Sequence, residues 1–102
     1  MPSDRAFERM SPVLRAMADP VRARVLYALT LEPLCVCELS QLLEMSMPAV
    51  SHHLRILTMA GLLTARKEGK FACYYLRDES LTGTVRALVK ELAGFDRQTE
   101  EE

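Results

Sequence analysis

The sequence predicts a mainly α-helical domain with one small β-hairpin, arranged as a dimeric winged helix-turn-helix. A short amphipathic pattern over residues 36–45 is followed at once by a second one that begins at Ser46 and has a polar, cationic face. Two runs of aromatic and β-type residues then flank Glu68-Gly69, as in a β-hairpin. Two helices joined by a tight turn and followed by a hairpin are typical of this fold.

Three helices are expected before the recognition-type helix. The first, within residues 11–19, ends before Pro20 because the residue that precedes a proline avoids the helical region. Pro20 suits the first turn of the second helix, over residues 20–31, and Pro33 closes that helix. The third helix covers residues 36–45, where leucines recur at helical spacing.

The fourth helix has the clearest local signals. Ser46 is a strong N-cap, Pro48 is tolerated in the first turn, and Gly61 can adopt the left-handed conformation that ends a helix. Its apolar stripe consists of Val50, Leu54 and Leu57. These features predict one helix that begins after Ser46 and ends before Gly61.

A hairpin over residues 62–76 and a terminal helix over residues 79–95 complete the domain. We expect this domain to cover residues 1–95 and an acidic, disordered tail to cover residues 96–102. The outermost helices form the natural dimer surface, because each needs a second apolar partner beyond the central unit.

Size and composition support a homodimer in the cytoplasm. The chain has 102 residues, of which 49% are apolar and 26% charged, as in ordinary globular proteins. A monomer of this length buries a modest share of its surface, which favours a partner subunit. No apolar run is long enough to span a membrane and no secretory signal is recognisable, so we expect a cytoplasmic protein without a membrane partner. Three cysteines in a reducing compartment should stay thiols.

Positive charge is concentrated in the middle of the chain. Residues 46–77 carry five Lys or Arg and one acidic residue, whereas residues 78–102 carry three against seven. Residues 1–45 are nearly balanced, with five against six. This distribution suggests one face that binds a polyanion.

Short polar side chains near a helix N-terminus suit the reading of base edges in the major groove, where backbone amides also favour phosphate. The candidates for DNA binding on the fourth helix are Ser46, Met47, Pro48, Ser51, His52, His53 and Arg55. At the hairpin tip, Arg66, Lys67 and Lys70 fit phosphate or minor-groove contact with a salt-sensitive affinity. The alternatives are a solvated polar face, an ordinary turn, or a surface that binds protein.

Four spaced segments resemble the ArsR/SmtB family of metal- and metalloid-responsive repressors. They are "LRAMADPVRARVLYAL", "LCVCEL", "SMPAVSHHLRILTMAGLL" and "ARKEGKFACYYL", and they cover roughly residues 13–77 in the family's order. The resemblance implies a homodimeric transcriptional repressor that binds double-stranded operator DNA and releases it when an inducer binds. It also implies that Ser51 and His53 stand at functional positions of the family's motif, while Met47 replaces the commoner glutamine.

His53 has a second interpretation, a hydrogen bond within the domain. The adjacent histidines, His52 and His53, point about 100° apart on a helix, so we do not interpret them as a metal site.

Cys35 and Cys37 allow three interpretations: buried packing, redox or persulfide chemistry, and a site for a soft metal or metalloid. In a regular helix, side chains two positions apart lie about 200° apart around the axis. A shared ion would therefore have to deform the start of the third helix, and that change would reach the recognition helix.

The resemblance makes "LCVCEL" similar to the family's arsenite site, whose third cysteine would fall at Ser40. The implied inducer is arsenite or antimonite, held by Cys35 and Cys37 with hydroxide, another thiol or an oxygen as third ligand. Divalent Zn, Cd or Pb would need more ligands, so a divalent-metal sensor of the same fold is an alternative. Cys73 is expected in the core, and it would reach this site only if the hairpin approached the third helix.

Nothing in the sequence indicates an enzyme or a catalytic cofactor. The chain has no glycine-rich phosphate loop and no recognisable arrangement of cysteine, histidine and carboxylate.

Overall fold

The computed structural model describes the backbone of residues 1–100 and the side chains of residues 1–92. The elements of this part are α1 (Asp4–Met17), α2 (Pro20–Leu31), β1 (Leu34–Cys35), α3 (Val36–Leu43), α4 (Met47–Met59), β2 (Leu63–Glu68), β3 (Phe71–Leu76) and α5 (Glu79–Glu100). Helices α3 and α4 form the helix-turn-helix, and β2 and β3 form the wing. The predicted fold class is confirmed.

Local capping sets the boundaries of α2 and α4, which begin where the sequence predicts. The Asp19 carboxylate accepts a hydrogen bond from the Arg22 amide at 3.0 Å, before the first turn of α2. The Ser46 hydroxyl likewise accepts one from the Ala49 amide at 3.3 Å. Gly61, at φ +83°, follows the end of α4 in the left-handed conformation that favours glycine.

Helix α1 is longer than predicted. It begins at Asp4, with the Ser3 hydroxyl accepting from the Ala6 amide at 3.4 Å, and Pro12 lies inside it. The prediction of a start after Pro12 was wrong because proline was given more weight than the apolar spacing around it. Phe7, Met10 and Leu14 recur at intervals of three and four residues, which is the periodicity of a helix face.

Strand β1 was not predicted, and it enlarges the hairpin to a three-stranded antiparallel sheet with the order β1-β3-β2. Leu34 lies opposite Tyr74, and Cys35 lies opposite Cys73. A strand of two residues is too short for an alternating pattern to be visible in sequence. Its pairing places the start of α3 directly against the wing.

The core lies where α2, α3, α4, the sheet and α5 meet. Its largest fully buried side chains are Leu26, Leu39, Leu54, Leu57, Val25, Val50 and Val85. The apolar stripe predicted for α4 is entirely within this set. Burial of the stripe fixes which face of α4 points outward.

Helix α5 continues through Glu100, beyond the predicted end of the domain at residue 95. The predicted tail, residues 96–102, therefore begins in helical backbone, and residues 101–102 lie outside the described residues. Among the described residues, no helix is long and apolar enough to cross a membrane.

Candidate DNA-binding face and thiol site

The exposed face of α4 contains most of the residues predicted to bind DNA. Met47, His52 and Arg55 are exposed, and Ser51 is half-buried. Ser46 and Pro48 are exposed at the start of the helix. The structure therefore brings these six residues together as one surface, which we call the α4 face.

His53 points back into the domain. Its side chain is 17% exposed, its Nδ1 accepts from Arg22 Nη1 at 3.2 Å, and the same nitrogen is 3.9 Å from the Asp19 carboxylate. Arg22 also donates through Nε to the carbonyl oxygen of Ala16 at 2.6 Å. This network ties α4 to the junction of α1 and α2. The second interpretation of His53, a hydrogen bond within the domain, describes this contact.

The hydrogen bond from the Arg22 amide is the main cause that holds the pKa of the Asp19 carboxyl below its ordinary value. Desolvation opposes it, and the charges of Arg22 and His53 add smaller effects that lower the pKa. Asp19 is therefore an anion at neutral pH. Sequence reasoning missed Arg22 and Asp19 as supports of α4 because Arg22 and His53 are 31 residues apart.

The wing exposes Arg66, Lys67 and Lys70, as the sequence predicts. The Arg66 guanidinium lies 4.8 Å from the centre of the Tyr75 ring, a cation–π contact. The Tyr75 hydroxyl donates to the Glu68 carboxylate, and this hydrogen bond raises the pKa of Tyr75. Arg66 is thus positioned by its neighbours on the sheet.

Cys35 is the N-cap of α3 and has an extended backbone, at φ −83° and ψ 163°. The Glu38 carboxylate accepts a hydrogen bond from the Cys35 amide at 2.8 Å. Cys37, in the first turn, is half-buried. Cys35 lies outside the helix, so the separation of about 200° expected within a regular helix does not apply to Cys35 and Cys37.

Cys73 is 6% exposed, as predicted for a core residue, but it also faces the candidate site. It lies opposite Cys35 with a Cα–Cα distance of 4.1 Å, and the two sulfurs are joined as a disulfide. The expectation that all the cysteines are free thiols is therefore contradicted for this pair, and Cys37 is the free cysteine. Strand pairing brought together residues 38 positions apart.

Ser40, where the resemblance places a third cysteine, is engaged elsewhere. Its hydroxyl donates to the Met45 carbonyl oxygen at 2.5 Å, within the turn between α3 and α4. In the part of the chain with described side chains, no group of three or more His, Cys, Asp and Glu is arranged to hold a metal ion. In this oxidised state, the sulfurs of Cys35 and Cys73 are bonded to each other.

Comparison with known proteins agrees with the fold. A family model described as "Bacterial regulatory protein, arsR family" matches residues 19–65, from the N-cap of α2 into β2. A cadmium resistance transcriptional regulatory protein CadC homolog of Staphylococcus aureus is 42% identical over 71 residues, which are 69% of this chain and 59% of that protein. An HTH-type transcriptional regulator of Methanocaldococcus jannaschii is 37% identical over 84% of this chain and 97% of its own length.

An arsenical resistance operon repressor of Staphylococcus xylosus is 34% identical over 74% of this chain and 73% of its own. Among solved structures, HlyU from Vibrio cholerae has a TM-score of 0.80 and 32% identity over 86% of this chain and 96% of that one. A homodimeric winged helix-turn-helix DNA-binding domain from Mycobacterium bovis also has a TM-score of 0.80, with 27% identity over 92% of this chain and 89% of that one.

Proposed function

Since the chain belongs to the ArsR family of bacterial regulatory proteins, we propose that it is a homodimeric repressor that releases operator DNA when arsenite or antimonite binds Cys35 and Cys37. Members of this family are transcriptional regulators, so the prediction that the chain is not an enzyme is confirmed. The proposal concerns the residues that contact DNA, the dimer and the inducer.

The exposed α4 face beside the basic wing is the observation that carries the DNA-binding part of the proposal. Ser46, Met47, Pro48, Ser51, His52 and Arg55 would enter the major groove or contact its phosphates. Arg66, Lys67 and Lys70 would contact phosphates or the minor groove beside it. His53 would support the interface through Arg22, holding α4 in position against the DNA.

A homodimer is supported by unpartnered apolar side chains on the two outer helices. Phe7, Met10 and Leu14 of α1 are 45–56% exposed, and Leu88 and Leu92 of α5 are 47% and 60% exposed. On each helix these side chains recur at intervals of three or four residues, so they share one helix face, and an apolar face of this kind supports an interface. A two-fold dimer would bury them and present two α4 faces to a palindromic operator.

The inducer is proposed from the position of the cysteines. Cys35 and Cys37 flank the first residue of α3, and the end of α3 leads through residues 44–46 into α4. Glu44, at φ +54°, reverses the chain at that turn. Thiolates favour soft ions. Two thiolates leave one ligand to be found for trivalent arsenic or antimony, whereas a tetrahedral divalent ion would need two more.

The proposal is tested by titrating inducers into the complex of the reduced protein with DNA selected from a random pool by that protein. Arsenite and antimonite are expected to release the DNA, and the Cys35→Ser and Cys37→Ser variants are expected to keep it bound. Cadmium, lead, zinc and a persulfide donor serve as competing inducers. Release of DNA from both variants by arsenite would show that the cysteine assignment is wrong.

A second candidate, a thiol-based redox or persulfide sensor, is favoured by the Cys35–Cys73 disulfide. Two thiols and one persulfide, RSSH, would give the protein disulfide, one thiol RSH and H₂S, so that electrons and atoms balance. This candidate predicts DNA release by the persulfide donor and no release by arsenite. Cys73→Ser would abolish the response to the persulfide donor.

A further inference from the structure

We propose that Cys73 supplies the third thiolate of the metalloid site, so that reduced Cys35, Cys37 and Cys73 hold As(III) or Sb(III) across the β1–β3 strand pair. This inference rests on the proposed function and names the missing ligand of its site. The resemblance places that ligand at position 40. The residue there is Ser40, whose hydroxyl donates a hydrogen bond to the Met45 carbonyl oxygen.

The strand register brings the first two sulfurs together. Cys35 and Cys73 are directly opposite in the antiparallel β1–β3 pair, and directly opposite residues project their side chains to the same face of a sheet. Their Cα atoms are 4.1 Å apart and their sulfurs are in contact. Once the disulfide is reduced, one small ion can reach both sulfurs without movement of the backbone.

Cys37 is the third cysteine of the proposed set. It is two residues from Cys35, so their Cα atoms are separated by at most about 7.6 Å. Its side chain is half-buried and is not part of the disulfide. The proposal requires the Cys37 side chain to turn toward the other two sulfurs by a change of rotamer at the first turn of α3.

The chemistry is ligand exchange without electron transfer. Arsenous acid, As(OH)₃, exchanges three hydroxides for three thiolates, and the three thiol protons leave with the hydroxides as three water molecules. The reaction requires reduced sulfurs, so the Cys35–Cys73 disulfide and the bound metalloid exclude each other. The oxidised chain is expected not to bind arsenite.

Cys73 also connects this site to the DNA-binding wing. It lies opposite Arg66 of β2 as well as opposite Cys35 of β1, so these three residues form one row across the sheet. Arg66 packs over Tyr75, the next residue of β3 on that face. A ligand that moves the Cys73 side chain therefore changes the packing around a proposed phosphate contact without unwinding α3.

The test uses the reduced full-length chain loaded with arsenite. X-ray absorption at the arsenic edge is expected to report three sulfur neighbours in the unmodified chain, with protection of all three thiols from a thiol reagent. Cys73→Ser is expected to report two sulfurs and one oxygen. The arsenite concentration for half-release of DNA should rise on the order of tenfold or more in that variant.

The control is Ala72→Ser, which adds a hydroxyl at the neighbouring exposed position of β3 and should respond as the unmodified chain does. Two sulfurs at arsenic in the unmodified chain, or equal half-release concentrations for that chain and Cys73→Ser, would overturn the assignment of Cys73 and leave the proposed function standing. An unmodified reduced chain that keeps its DNA in arsenite would overturn the proposed function, and this inference with it. The absorption measurement on the unmodified chain does not depend on the folding of any variant.

Discussion

Asp19 links two helices through a single carboxylate. It caps α2 through the Arg22 amide, and it lies 3.9 Å from His53 of α4. Because Arg22 also bonds His53, the position of the proposed DNA-binding helix depends on residues at the junction of α1 and α2. We expect changes at this junction to affect DNA binding without touching the α4 face.

The lowered pKa of Asp19 gives a prediction about acid stability. Its carboxyl titrates at a lower pH in the folded chain than in the unfolded chain, so its contribution is complete above the unfolded value of about 4. The contribution is lost as the pH falls through the lowered folded value. Compared with Asp19→Asn, which keeps an N-cap without a charge, the unmodified chain should lose more stability on acidification.

Urea denaturation of both proteins at a series of pH values measures this difference. The two midpoints should converge as the pH falls below the ordinary range of an aspartate. Parallel curves would show that the Asp19 charge makes no contribution to folding.

Among the elements, the wing is the one whose shape is set by side-chain contacts across strands. Tyr75 receives Arg66 on its ring and donates to Glu68, so three residues of β2 and β3 form one connected surface. Lys67 is exposed beside them. A cation in this position would act on DNA mainly by neutralising phosphate.

Lys67→Ala should therefore weaken binding to all DNA sequences by a similar factor and reduce the salt slope of log K by about 1. The measurement is an affinity series over several salt concentrations with both selected and random DNA. Lys90→Ala removes an exposed cation from α5 and is the matched control, with an unchanged slope expected. An equal effect of the two substitutions would contradict a specific contact of the wing with DNA.

For the whole molecule, the exposed apolar side chains of α1 and α5 support the proposed homodimer. Helices α1 and α5 each contribute a side chain to the core, Ala16 and Val85, and also carry the exposed apolar residues. Burial of such residues in a dimer would add to the apolar area that is removed from water, which is small in a single chain of this length. The proposed two-fold arrangement also sets the spacing of the two α4 faces.

Leu88→Glu should dissociate the dimer, because it places a charge in the proposed apolar interface. Sedimentation of the purified variant is expected to give the monomer mass, and its affinity for palindromic DNA should fall sharply as one of two half-site contacts is lost. Leu42→Glu changes a leucine of α3 that is 61% exposed, against 47% for Leu88, and should remain dimeric. A dimeric Leu88→Glu variant would place the interface elsewhere.

Sequence by itself determined the features whose signals are local. The start of α4 at its Ser46 N-cap, the bounds of α2 and the basic hairpin were all predicted, because each depends on residues within a few positions. The surface of α4 followed from its apolar stripe, since burial of one helix face leaves the opposite face in solvent. The family resemblance was confirmed by a family model over residues 19–65 and by similar regulators.

Only the tertiary structure decided which distant residues meet. Strand β1 is too short to be visible as a pattern, yet its pairing with β3 brings Cys73 to Cys35 and changes a two-cysteine motif into a group of up to three sulfurs. In the same way, the packing of α2 against α4 turns His53 away from the exposed face, so that it accepts a hydrogen bond from Arg22. Such contacts require the chain to bring together residues 31 and 38 positions apart. Periodicity and capping are local signals, so they carry no information about contacts over such separations.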